Sequence, residues 1–146
     1  MTSRRSPTLR FLLAVLAVAL ASGCSQGLFA SKKSDVVTGT IAYRERIALP
    51  AGATVEVKLS DATHVDVAAS IVAESKFSAD GHQVPISFEL RYDARDVLDT
   101  HIYVVRAAIR FRGRMLFATD TAYPVITQGK PKAVDLVLVR VAEEGP

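Results

Sequence analysis

A chain of 146 residues has room for one domain and an appendage, but not for two ordinary domains. With 49% hydrophobic and 23% charged residues and only 8 Gly and 6 Pro, it is not disordered, collagen-like or low in complexity. The net charge of +3 arises from Arg4, Arg5 and Arg10 near the N-terminus; beyond them acidic and basic side chains balance, so no global attraction to nucleic acid or acidic lipid follows.

The N-terminal segment has three parts in order. The arginines are followed by an uncharged apolar run, Phe11 to Ala21, then by Ser22, Gly23 and the only cysteine, Cys24. A helix of that run spans about 17 Å, short of a hydrocarbon core of about 30 Å, which suits a signal segment better than a membrane span. Leu20-Ala-Ser-Gly-Cys24 resembles the lipobox of bacterial lipoprotein signal peptides. The resemblance implies a signal peptide over 1–23, cleavage before Cys24 and acylation of its thiol. Ala21 stands where leucine is commonest in that motif, but Gly23 matches the small residue needed at the cut. By resemblance to enterobacterial lipoproteins, Ser25 after the cysteine favours export to the outer membrane, facing the periplasm, over retention at the inner membrane. A lone cysteine forms no intramolecular disulfide. Residues 24–35, polar and partly basic, read as the lipidated cysteine and a tether.

From Val36 onward the apolar residues alternate, the period of half-buried strands. Strands are expected at about 36–48, 54–60, 66–77, 84–91, 101–111, 115–120 and 134–141. Turn residues separate them: Pro50-Ala-Gly52, Ala79-Asp-Gly81, Arg112-Gly-Arg114 and Gln128-Gly-Lys-Pro131. Gly39 inside the first strand marks a bulge or a close backbone approach. The one helical turn is expected at 94–98. The pattern predicts an all-β fold, a single seven-stranded antiparallel β-sandwich of the immunoglobulin or transthyretin kind, over 36–146. The last strand is apolar on both faces: Val134, Leu136 and Leu138 on one, Val137, Val139 and Val141 on the other. Such a strand is either covered twice or open to a partner.

Val37-Thr-Gly-Thr-Ile-Ala-Tyr-Arg-Glu-Arg-Ile-Ala-Leu-Pro50, Ala53 to Asp61, Pro85 to Asp93 and Thr119 to Thr127 together resemble segments of the YbaY family of lipoproteins. The resemblance runs from about Val36 to Val141. YscW-like lipoproteins, the pilotins of type III secretion, belong to the same broad family. The resemblance implies a compact β-sandwich without enzymatic activity and, for the YbaY branch, no settled molecular function.

Among candidate site residues, Arg106, Arg110 and Arg112 have even numbers and share the solvent face of the fifth strand, with Arg114 across the hairpin. They read either as a site for phosphate, acidic glycan or carboxylate, or as a solvated face balanced by Glu56 or Glu89. Asp93, Asp96 and Asp99 lack the glycine and closing glutamate of a calcium loop and read as turn and cap chemistry. His64, His82 and His101 have no metal-motif spacing, and no motif of nucleophilic, phosphate-cradling or zinc chemistry occurs. Tyr103 reads as a core tyrosine or as the corner tyrosine of a Greek-key sandwich. No cofactor is expected. The expected function is that of a cell-envelope lipoprotein with a non-catalytic binding domain, anchored to the membrane at Cys24, with an envelope protein or an anionic glycan or lipid as partner and no nucleic acid. The alternative is a pilotin-like chaperone that carries a secretin tail to the outer membrane.

Overall fold

A computed structural model describes residues 33–142. The leader, Cys24 and the tether up to Lys32 lie outside the described residues. Eight strands follow one another: β1 (Ser34–Tyr43), β2 (Thr54–Asp61), β3 (Ser70–Ser78), β4 (Ile86–Asp93), β5 (Tyr103–Phe111), β6 (Arg114–Ala118), β7 (Tyr123–Val125) and β8 (Ala133–Arg140). The expected helical turn is a 3-10 turn, Ala94–Asp96. Asp93 caps it by accepting from the Arg95 N–H at 3.0 Å.

The all-β expectation holds, but seven antiparallel strands in two layers do not describe the architecture. The strands join in one sheet of order β3-β2-β5-β6-β8-β1-β4, with β7 added to β5. The sheet curls into a nearly closed barrel, and its two edge strands, β3 and β4, approach within 8 Å between Cα atoms. Two features escape an alternation pattern. Strand β7 is three residues long and holds Pro124. The β1–β8 pair is parallel, with Thr38 to Tyr43 opposite Ala133 to Leu138. On its other side β8 meets β6 at only two residue pairs, Phe117 with Arg140 and Ala118 with Val139.

Gly39 makes the curl between β1 and β8 geometrically feasible. A Cβ built there would lie 1.7 Å from the Val134 carbonyl oxygen and 3.1 Å from a Phe88 ring carbon. The close backbone approach is therefore the reading the structure supports. The β5–β6 connection is a two-residue turn with positive φ at both Arg112 (49°) and Gly113 (81°). Those signs match the twist of a tight hairpin, at a steric cost borne by Arg112.

Inward residues of every long strand build one core. Val37 and Ile41, Val55, Val57 and Leu59, Leu90, Val105 and Ile109, and Leu136 and Leu138 are all buried. The Tyr43 ring of β1 stacks on Phe117 of β6, across the intervening β8, with centroids 4.1 Å apart and planes 7° from parallel. Tyr103, almost fully buried, accepts a hydrogen bond from the Leu98 N–H at 3.0 Å and donates to the Asp96 carbonyl at 3.4 Å. It thus ties the start of β5 to backbone a few residues upstream, as a corner tyrosine does.

Candidate functional site

Strand alternation sends Arg106, Ala108 and Arg110 to the outer face of the barrel while Val105, Ala107 and Ile109 enter the core. The neighbouring outward residues on β2 are Glu56, opposite Ala108, and Lys58, opposite Arg106. On the other side Ala118 of β6 stands opposite Ala108. Two alanines side by side leave a dip in the sheet. The result is a shallow depression of about 210 Å³, floored by Ala108 and Ala118 and walled by Lys58, Arg106, Arg110 and Met115.

Its charges are partly cancelled from within. The Glu56 carboxylate, only 13% exposed, pairs with Lys58 and lies 3.4 Å from the Arg110 Nε. Lys58 also lies 3.8 Å from Glu74 on β3. The Lys58 hydrogen bond, reinforced by the charges of Lys58 and Arg110 against the cost of burial, holds the Glu56 carboxyl below its usual range. The same hydrogen bond holds the Lys58 ammonium above its own. Arg106 has no such partner among the described residues and faces Lys58, another cation, across the ladder. An anion entering the depression therefore meets Arg106 first. To engage Arg110 in full it must compete with Glu56.

The expected row of three arginines on one strand is corrected at its end. Strand β5 stops at Phe111, and Arg112 sits in the hairpin turn, its guanidinium carbon 5.1 Å from the centre of the Phe111 ring. Arg114 opens β6 opposite Phe111. Neither belongs to the wall of the depression. Of the two carboxylates named as balancing neighbours, Glu56 reaches the arginines, whereas Glu89 pairs with Arg91 at 3.0 Å.

The last strand is covered on its inner face and only partly on its outer one. Leu136 and Leu138 enter the core. At the edge of the strand the Tyr123 hydroxyl accepts from the Val137 N–H at 3.0 Å and donates to the Val137 carbonyl at 3.3 Å, taking the ladder position where β6 has turned away. Only Val139 stays substantially exposed, at 40%.

The acidic run resolves into local chemistry. Asp93 holds Arg95 at 2.6 Å, and the Asp96 carbonyl serves Tyr103. His82 turns its Nδ1 to the Ala79 carbonyl at 2.9 Å. A polar cluster that spacing did not reveal joins the end of β2 to the start of β5. His101 Nδ1 lies 2.6 Å from Asp61 Oδ2, and the Thr63 hydroxyl and N–H both donate to Asp61 Oδ1. The Thr63 hydroxyl, the His101 contact and the Thr63 N–H together lower the Asp61 pKa to about 2. Forty residues separate the two partners, so only the β2–β5 pairing brings them together. Among the described residues no group of three His, Cys, Asp or Glu is arranged to hold a metal ion. Cys24 lies outside the described residues.

Residues 32–138 match the family described as type III secretion system lipoprotein chaperone (YscW). The chain belongs to that family. This YscW-family chain is 39% identical over 107 residues to the uncharacterized lipoprotein YbaY of Escherichia coli (strain K12), a match that takes in 73% of the chain and 56% of the relative. The chain thus spans about half the length of that curated relative. Among solved structures it resembles an alternative pilotin from the type II secretion system of Vibrio cholerae, with 43% identity and a TM-score of 0.73 over 75% of this chain and 99% of that one. The family resemblance carried by the strand sequences is therefore correct. The descriptions of these relatives are those of a lipoprotein chaperone, a lipoprotein and a pilotin.

Proposed function

We propose that this chain is a lipid-anchored, non-catalytic binding protein of the cell envelope, and that it holds a partner protein or an anionic glycan or lipid against the outer face of β2, β5 and β6. The observation that carries this reading is the alanine-floored depression beside Arg106, a cation without an ion-pair partner among the described residues. A flat floor admits a segment of main chain or a sugar ring, and a guanidinium selects carboxylate or phosphate by paired hydrogen bonds. Acylation at Cys24 supplies the anchor, and more than one acyl chain makes attachment effectively permanent. A short tether then keeps the binding face at high effective concentration beside the membrane, here the periplasmic side of the outer membrane. The test is affinity capture from native envelopes with the mature chain and with an Arg106→Ser/Arg110→Ser variant. Partners bound through this face are lost from the variant and fall off the parent as salt rises. A correctly folded variant that keeps every partner refutes the reading.

A second reading has its own support. The 43% identity to a type II secretion pilotin, spanning 99% of that protein, favours a pilotin-like role in which the partner is the tail of a secretin carried to the outer membrane. Deleting the gene would then lower the amount of secretin in the outer-membrane fraction, and a Cys24→Ser chain would fail to restore it. Secretin that stays at its normal level in the outer membrane contradicts this reading.

A further inference from the structure

Seven large hydrophobic side chains among the described residues are conspicuously exposed, and five sit at one end of the barrel: Val65 (94%), Val67 (68%), Ile71 (55%), Leu98 (54%) and Ile102 (40%). Strand register establishes that they share an end. Asp61 of β2 pairs with Ser70 of β3 and with Tyr103 of β5, so the loop 62–69 and the loop 94–102 emerge side by side. Ser34 pairs with Asp93, and the Ala94 N–H donates to the Lys33 carbonyl at 2.8 Å, so the described chain also begins at this end. The opposite end carries the turn at Pro50–Gly52 and the Arg112–Gly113 hairpin.

Single exposed apolar residues are ordinary; five gathered at the end nearest a membrane anchor are not. We propose that this end docks on the phospholipid bilayer, with the tips of the loops 62–69 and 94–102 seated in its interfacial region. The proposal rests on the reading that Cys24 is acylated. Nine residues lead from Cys24 to Lys33. Fully extended they reach about 30 Å and on average far less, so the end bearing the apolar tips is held within a short distance of the surface.

The loops are built to arrive in one shape. The Ala62 N–H donates to the Ile102 carbonyl at 2.8 Å, and the Ile102 N–H donates to the Thr63 hydroxyl at 3.0 Å. The Thr63 hydroxyl is itself fixed on Asp61, which His101 also contacts. Two loops tied to one polar cluster lose little conformational freedom on insertion. Beside Ile102 a mainly apolar depression of about 250 Å³, reaching Pro124 and Lys130, widens the same surface. Charge does not drive the contact. Asp66, Asp96 and Asp99 stand among Lys33, Arg95 and Lys130, leaving no cationic excess to seek anionic lipid. Docking by apolar insertion is therefore expected on zwitterionic lipid and at high salt. The consequence is orientation: the barrel stands on its loop end, and the Arg106 face points sideways along the membrane.

The protein contains no tryptophan, so a single introduced one reports its own surroundings. The mature, acylated full chain is reconstituted into vesicles of phosphatidylcholine and phosphatidylethanolamine, as Val65→Trp and separately as Ile47→Trp, which is 46% exposed and lies in the connection between β1 and β2. Brominated phospholipid is expected to quench Val65→Trp about twofold, with a blue-shifted emission that survives about 0.5 M salt, and to leave Ile47→Trp unchanged. Flotation and the mass of the N-terminal fragment establish anchoring separately. A chain that floats with its acyl groups but shows no quenching at position 65, or equal quenching at both positions, overturns the docking alone. A chain that carries no acyl group overturns the anchor and the docking with it. A blue shift that grows with protein concentration without lipid quenching assigns the loops to a second copy of the chain and likewise overturns the proposal.

Discussion

Gly39→Ala is the substitution that tests how this barrel curls. Gly39 lies on β1 opposite both Phe88 of β4 and Val134 of β8, and an added Cβ would stand 1.7 Å from the Val134 oxygen and 2.8 Å from its carbonyl carbon. The obstacle is backbone, so no rotamer change relieves it. To restore a separation of even 3.0 Å, β8 must retreat by roughly 1.3 Å, which opens the parallel ladder between Thr38–Tyr43 and Ala133–Leu138. Leu136 and Leu138 lose core packing as it does so. We expect a loss of about 3 kcal/mol, the upper end of the ordinary cost of overpacking, and a fall in Tm of roughly 12 °C. Urea and thermal unfolding of the mature chain, followed by circular dichroism, measure it. Gly52→Ala is the control. Its φ of +83° disfavours a side chain but nothing lies within 4 Å, so it should cost only about 1 kcal/mol. A Gly39→Ala chain within about 0.5 kcal/mol of the parent would refute the close-approach argument.

Tyr103→Phe removes the hydroxyl that serves Leu98 and Asp96; it should cost about 1–2 kcal/mol and speed amide exchange at Leu98. The Asp61 carboxyl, held at about 2 in the fold against an ordinary 3.8, contributes stability that is present above about pH 4 and lost as pH falls towards 2. After solvent screening this is on the order of 1 kcal/mol, visible as a urea midpoint that drops on acidification and drops less in Asp61→Asn. Cys24→Ser should abolish incorporation of labelled fatty acid and release the chain from membranes; label that persists would show that the acylated residue lies elsewhere.

Alternation carried most of the fold. Val55, Val57 and Leu59, or Ile86, Phe88 and Leu90, announce half-buried strands because one face of each meets the core. Long-range pairing was not written locally. Nothing near Val134 or near Thr38 says that these segments run parallel, and Tyr123-Pro-Val125 is too short to show a period. Residues 66–69, expected as the start of a third strand at about 66–77, are an exposed loop because β3 pairs only from Ser70. The candidate site was half legible. Arg106 and Arg110 share a face by parity alone, whereas the neutralising role of Glu56 depends on which strand lies beside β5. Nothing near Val137 in the sequence says that the Tyr123 hydroxyl meets its N–H at the strand's edge.

A partner seated on the outer face of β2, β5 and β6 is within reach of a photo-crosslinking side chain at Ala108, the floor of the depression, placed in the full-length chain in native envelopes and compared with the same group at exposed Ser87 on β4. The expected result is an adduct of one discrete partner from position 108 that is absent from position 87 and is lost when Arg106→Ser is added. Equal adducts from both positions, or no adduct from position 108 in a correctly folded chain, would contradict it.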